Sequence, residues 1–118
     1  MQKDSVKKDP ATALQVKKIL EEIKKAAPGN SVELRIPLYG AIQCVAGVNH
    51  RRGTPANVVE MEAATLLLLA IAPEKWSELC LNGQIRASGH ASNLSKIFIE
   101  LSRLEVEFKE QLNDKQKK

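Results

Sequence analysis

Few side chains in this chain are able to do chemistry, and their spacing narrows the choices further. There are two histidines, His50 and His90, and two cysteines, Cys44 and Cys80. His50 stands in the run His50-Arg51-Arg52-Gly53-Thr54, and His90 follows Gly89 at a turn. No serine elbow is present, and no pattern sets a base beside a nucleophile. The cysteines are far apart and share no metal-ligand spacing with histidines or carboxylates. Two buried thiols in a reducing compartment is the favoured reading, and spacing alone leaves a disulfide open. No phosphate-cradling glycine loop of a recognised pattern occurs. What remains is Arg51 and Arg52, which beside a glycine and a hydroxyl could hold a carboxylate or phosphate through charge-assisted hydrogen bonds. The plainer reading carries somewhat more weight: a solvated loop whose arginines pair with Glu60 or Glu62. Alternation between Val59 and Met61 turns Glu60 outward, where its charge costs little.

The elements that must position these groups can be read in order. Residues 1–8 are polar and are expected to be disordered. Asp9-Pro10 pairs an N-cap with proline at the first helical position. Val16, Ile19, Leu20, Ile23, Ala26 and Ala27 then recur at helical spacing until Pro28-Gly29 stops the helix. Ser31 to Leu38 alternates, with Val32, Leu34, Ile36 and Leu38 expected on one face. A second strand from Ala41 to Gly47, with Ile42, Cys44 and Ala46 inward, completes an antiparallel hairpin. Val48 to Pro55 reads as a loop and Asn57 to Met61 as a third short strand. Pro73 opens a short helix bearing Trp76, Leu79 and Cys80; Asn82-Gly83 ends it, and Gln84 to Ser88 is a further strand. The last helix starts near Ser92 or Asn93 and carries a long stripe, Leu94, Ile97, Phe98, Leu101, Leu104, Phe108 and Leu112. The order predicts one α+β domain over residues 9–112, a small, mostly antiparallel sheet covered by helices, with a frayed tail at 113–118.

Composition removes several function classes. The net charge is +4, with much of the lysine at the two ends, and the aromatics are one Trp, one Tyr and two Phe. A nucleic-acid surface normally clusters basic residues on one face beside aromatics, so these lysines read as solubilising ends. Weak attraction to an anionic membrane surface stays open. No signal peptide or membrane span is evident, and a cytoplasmic location is expected.

The stretch Glu62 to Pro73, with Leu66, Leu67, Leu68 and Leu69, has no polar face when wound as a helix. It is too short to span a bilayer, which takes about 20 apolar residues. Such a helix is expected to be covered on all sides. It reads most simply as the core helix. The all-round apolarity, the long closing stripe and the lack of aromatic filler argue for a cavity instead, at the low end of roughly 300–1,000 Å³.

Three segments carry a resemblance: Val32 to Cys44 (VELRIPLYGAIQC), His50 to Glu60 (HRRGTPANVVE) and Leu81 to Ser95 (LNGQIRASGHASNLS). Across roughly Val32 to Leu101 the chain resembles the sterol carrier protein family, most of all its short bacterial members. Ala56 departs from the second proline expected in close relatives, and the strands look fewer than in larger members, implying a smaller tunnel. The resemblance implies helices over a twisted sheet with an apolar tunnel between them, binding a fatty acid, acyl chain or sterol without transforming it. By position it makes Leu67, Leu68, Ile71, Ile97, Phe98 and Leu101 candidate tunnel residues. Arg51 and Arg52, read from their own chemistry, would anchor an acidic head group if their loop reaches the cavity mouth. It implies no catalysis, no metal and no cofactor. The partner is then a lipid or other apolar small molecule, not nucleic acid. The alternative is a protein-interaction or oligomerisation module that docks its apolar helices on a partner or on a second copy.

Overall fold

The computed structural model describes residues 8–47 and 57–103. Helix α1 (Pro10–Ala26) is followed by strands β1 (Val32–Ile36), β2 (Gly40–Cys44) and β3 (Asn57–Met61). Helix α2 (Ala63–Ile71), a 3-10 turn (Pro73–Lys75), helix α3 (Trp76–Leu81) and strand β4 (Ile85–Ser88) come next. Residues 95–103 form α4. Among the described residues the sheet has four strands in the order β2-β1-β3-β4. The β1–β2 and β3–β4 pairs are antiparallel and β1–β3 is parallel. The architecture is α+β with a mostly antiparallel open sheet.

Alternation sorts the strands into two faces. Val32, Leu34, Ile36, Cys44, Val59, Met61 and Ile85 are buried together, beneath the helices. Glu33, Arg35, Glu60 and Arg86 lie on the other face. Arg35 pairs with Glu33 at 3.3 Å, and Arg86 pairs with Glu60 at 3.3 Å. Glu60 thus points outward, as its alternation predicts. Its partner is Arg86, directly across the β3–β4 ladder. The amphipathic α1 buries Val16, Leu20 and Ile23 and packs against β2 and α2. The periodicity of α1 is therefore matched, as are β3 and the short α3. α4 starts at residue 95, two to three residues after the Ser92 or Asn93 start read from the sequence; the Ser95 amide donates to Asn93 Oδ1 at 2.9 Å, an Asx turn leading into the helix.

The first hairpin departs from simple alternation at both ends. β1 stops at Ile36, and Leu38 does not join its inward face. Tyr39 N donates to Ile36 O at 2.9 Å, closing a four-residue turn with Pro37 second and Leu38 third. Leu38 has φ +75°, the third-position value of a type II turn, and stands 52% exposed. β2 ends at Cys44 because Val45 also turns left-handed, at φ +68°. Ala46, expected inward, is consequently exposed. A β-branched residue is strained at such a φ and needs bracing. Val45 N donates to Ala27 O at 2.7 Å, and Val45 O accepts from Ser31 N at 3.0 Å and Ser31 Oγ at 2.8 Å. The end of α1 is thereby lashed to the end of β2. Gly29 makes this approach feasible: a Cβ there would lie 2.3 Å from the Val45 carbonyl carbon.

Candidate functional site

Helix α1 carries two stripes. Val16, Leu20 and Ile23 form the buried one. Beside it Pro10, Ala13, Leu14, Lys17, Glu21 and Lys24 recur at intervals of three or four and so share one flank. Between this flank and the β1–β2 hairpin lies an open trough of about 630 Å³. Ala13, Leu14, Leu20, Tyr39, Ala41 and Ile42 give it an apolar lining, and Lys8, Lys17, Glu21 and Lys24 stand along it. Leu14 is 71% exposed and lies on this flank rather than on the buried stripe.

Both walls are held in place. Asp9 Oδ2 accepts hydrogen bonds from Thr12 N at 2.9 Å and Thr12 Oγ1 at 2.8 Å, which fixes the first turn of α1. Those bonds, the backbone one first, lower the pKa of the Asp9 carboxyl. Asp9 N donates to the Tyr39 hydroxyl at 3.0 Å, tying the helix start to the hairpin turn. Lys8 Nζ lies 6.0 Å from the centroid of the Tyr39 ring. The Val45 lashing holds the far end.

The leucine run is not covered on all sides. Ala63, Thr65, Leu66 and Leu69 of α2 are buried, Leu67 is half-buried, Leu68 is 36% exposed and Ile71 is 79% exposed. Among the described residues the helices lie over one sheet face, and the outward flank of α2 is exposed. On α4, Phe98 is fully buried, its ring centroid 6.3 Å from that of Trp76 at an interplanar angle of 33°. Ile97 and Leu101 are half-buried against the same core. Arg51 and Arg52 lie outside the described residues, as does His50. His90 is exposed.

Both thiols are free. Burial pushes the pKa of Cys44 up to about 11 and raises that of Cys80. Neither is activated as a nucleophile. Among the described residues no group of three or more histidines, cysteines or carboxylates could hold a metal ion. None of the described helices is long and apolar enough to cross a membrane.

The trough residues of α1 were not singled out by sequence reasoning. Their signal was present but faint: Leu14 stands off the buried stripe, between lysines that read as solubilising charge. Only the return of the hairpin beside α1 turns that flank into a wall.

Residues 8–99 match the family model described as bacterial SCP ortholog, where SCP denotes sterol carrier protein. No curated protein sequence matches the chain. The match takes in α1, the whole described sheet and the start of α4, so it spans most of the chain, and on that ground the chain belongs to the sterol carrier protein family.

Proposed function

We propose that the protein is a non-catalytic lipid carrier that holds a long fatty acid, acyl chain or sterol-like molecule, and that it works in the cytoplasm. The observation that carries this reading is membership of this family, with an open, partly apolar trough of about 630 Å³ beside α1 in support. A second seat for the guest is the outward flank of α2, Leu67, Leu68 and Ile71, with Ile97 and Leu101 of α4. Phe98, a candidate for that seat by position, is enclosed by core neighbours. Arg51 and Arg52 remain the proposed head-group anchors for that second seat.

The energetics favour long chains. A micromolar Kd corresponds to about 8 kcal/mol. At least ~4 kcal/mol more is needed to offset lost translational and rotational freedom. At about 0.8 kcal/mol per buried methylene, the sum calls for roughly 15 methylenes. Titration of delipidated protein with cis-parinarate, followed by its fluorescence, should therefore give saturable binding, with chains of about eight carbons failing to compete. Absence of saturable binding at micromolar protein would reject the carrier reading.

A second reading rests on the exposed Leu14, Ile71, Leu81 and Ile99. In it these side chains dock on another protein or a second copy, and no lipid is taken up.

A further inference from the structure

We infer that the trough between α1 and the β1–β2 hairpin is a binding site for single-chain acidic amphiphiles, and that Lys17 and Lys24 select the acidic head. This goes further than the carrier proposal and rests on it, because it names the seat and the head-group charge.

The lining and the rim differ in chemistry. Leu14, Leu20 and Ile42 offer aliphatic surface with the Tyr39 ring at one end. Such a surface suits an acyl chain better than a peptide, whose backbone donors and acceptors would find no partners there. The rim is cationic: Lys8, Lys17 and Lys24 outnumber the single carboxylate of Glu21. Lys8 is drawn toward the Tyr39 ring. Lys17 and Lys24 make no ion pair among the described residues, whereas Lys25, one residue on and off this flank, pairs with Glu22 at 3.9 Å. The same helix thus leaves its trough-facing lysines free. Seven residues separate them, about 10.5 Å along the axis. They command one stretch of the rim, and a carboxylate or phosphate there would meet positive charge while its tail lay over Leu14 and Ile42.

The test compares cis-parinarate with its neutral alcohol on delipidated full-length protein. Lys17→Glu with Lys24→Glu should weaken the acid about tenfold, the size expected when two exposed attractive contacts become repulsive. The alcohol should stay within about twofold, since it has no charge to lose. Leu14→Asp, at a solvent-exposed site that leaves the fold intact, should weaken both probes. Raising salt should erase most of the acid's advantage over the alcohol in the wild type alone. Equal loss of acid and alcohol in the lysine variant overturns the head-group assignment. Loss on Ile71→Asp with none on Leu14→Asp overturns the trough as the seat, and leaves the carrier proposal standing with the guest on α2. Lysine and Leu14 effects seen only with vesicles of anionic phospholipid, and not with monomeric probe, overturn the site in favour of a membrane-docking face. Failure of the wild type to bind either probe removes the carrier proposal and this site together.

Discussion

Cys44 ends β2 opposite Val32, its side chain wholly out of solvent among aliphatic neighbours. A thiolate there would be desolvated, which holds the pKa near 11 against the ordinary 9.0. The consequence for stability has a definite sign. The unfolded chain sheds this proton from about pH 9 and the folded one only near pH 11, so the contribution is whole below pH 9 and is lost as pH climbs to 11. At 1.36 kcal/mol per pK unit the loss is about 2–3 kcal/mol. Urea unfolding at pH 8 and pH 11 should show that loss in the wild type beyond what Cys44→Ala shows. Equal pH dependence in the two would mean the thiol is not excluded from water. Leu38 makes a different point. An asparagine or glycine would take its left-handed turn position at less cost. A leucine standing there exposed, next to Tyr39 of the trough, is a local rule broken at the edge of the proposed site.

Three connections converge on β3 through one buried side chain. Asn57 Nδ2 donates to Ser31 O at 2.8 Å, and Asn57 Oδ1 accepts from Ala91 N at 2.9 Å. The entry to β1, the start of β3 and the loop before α4 are joined by a residue that is 5% exposed. Asparagine is suited to this because its amide offers a donor and an acceptor together. Asn57→Asp keeps the acceptor, but sets a carboxylate against the Ser31 carbonyl in a dry site. It should cost about 3 kcal/mol at neutral pH, less in acid where the carboxyl regains a proton, as read by urea unfolding midpoints. An unchanged midpoint would show that Asn57 is not the joint. Most individual elements were legible in the sequence, because period and punctuation are local: Asp9-Pro10 and Pro28-Gly29 bracket α1, and Val59-Glu60-Met61 alternates. The parallel β1–β3 pairing was not legible, since register between strands 25 residues apart depends on contacts such as that of Asn57. The left-handed Leu38 and Val45 were missed for a related reason. Alternation presumes extended backbone; a type II turn takes Leu38 out of it, and tertiary bracing holds the β-branched Val45 out of it. The candidate site was less legible still. The apolar run of α2 drew notice by its hydrophobicity, yet the trough depends on which flank of α1 the hairpin returns to.

Whether one layer of helices over one sheet face is a finished molecule turns on what its outward apolar residues do. Leu14, Leu38, Leu68, Ile71, Leu81 and Ile99 are exposed, and they come from α1, the hairpin turn, α2, α3 and α4. Single exposed hydrophobic residues are ordinary on a monomer; a stable dimer needs about 800 Å² buried on each partner around an apolar centre. Leu14 sits in a trough rimmed by lysines, and a second copy would bring its own lysines to the same place. With a net charge of +4, that approach is repulsive before any apolar contact forms. An acidic amphiphile meets the opposite field. The carrier reading therefore predicts a monomer by sedimentation velocity from about 1 to 100 μM protein, with or without cis-parinarate, at moderate salt where the repulsion is only partly screened. The interaction reading predicts a sedimentation coefficient that climbs with concentration, and an association that Ile71→Asp or Leu81→Asp abolishes. A concentration-dependent dimer that excludes the fatty acid would assign these residues to a protein partner. A monomer that binds the acid leaves the exposed leucine of α1 with the one role its lysine neighbours support.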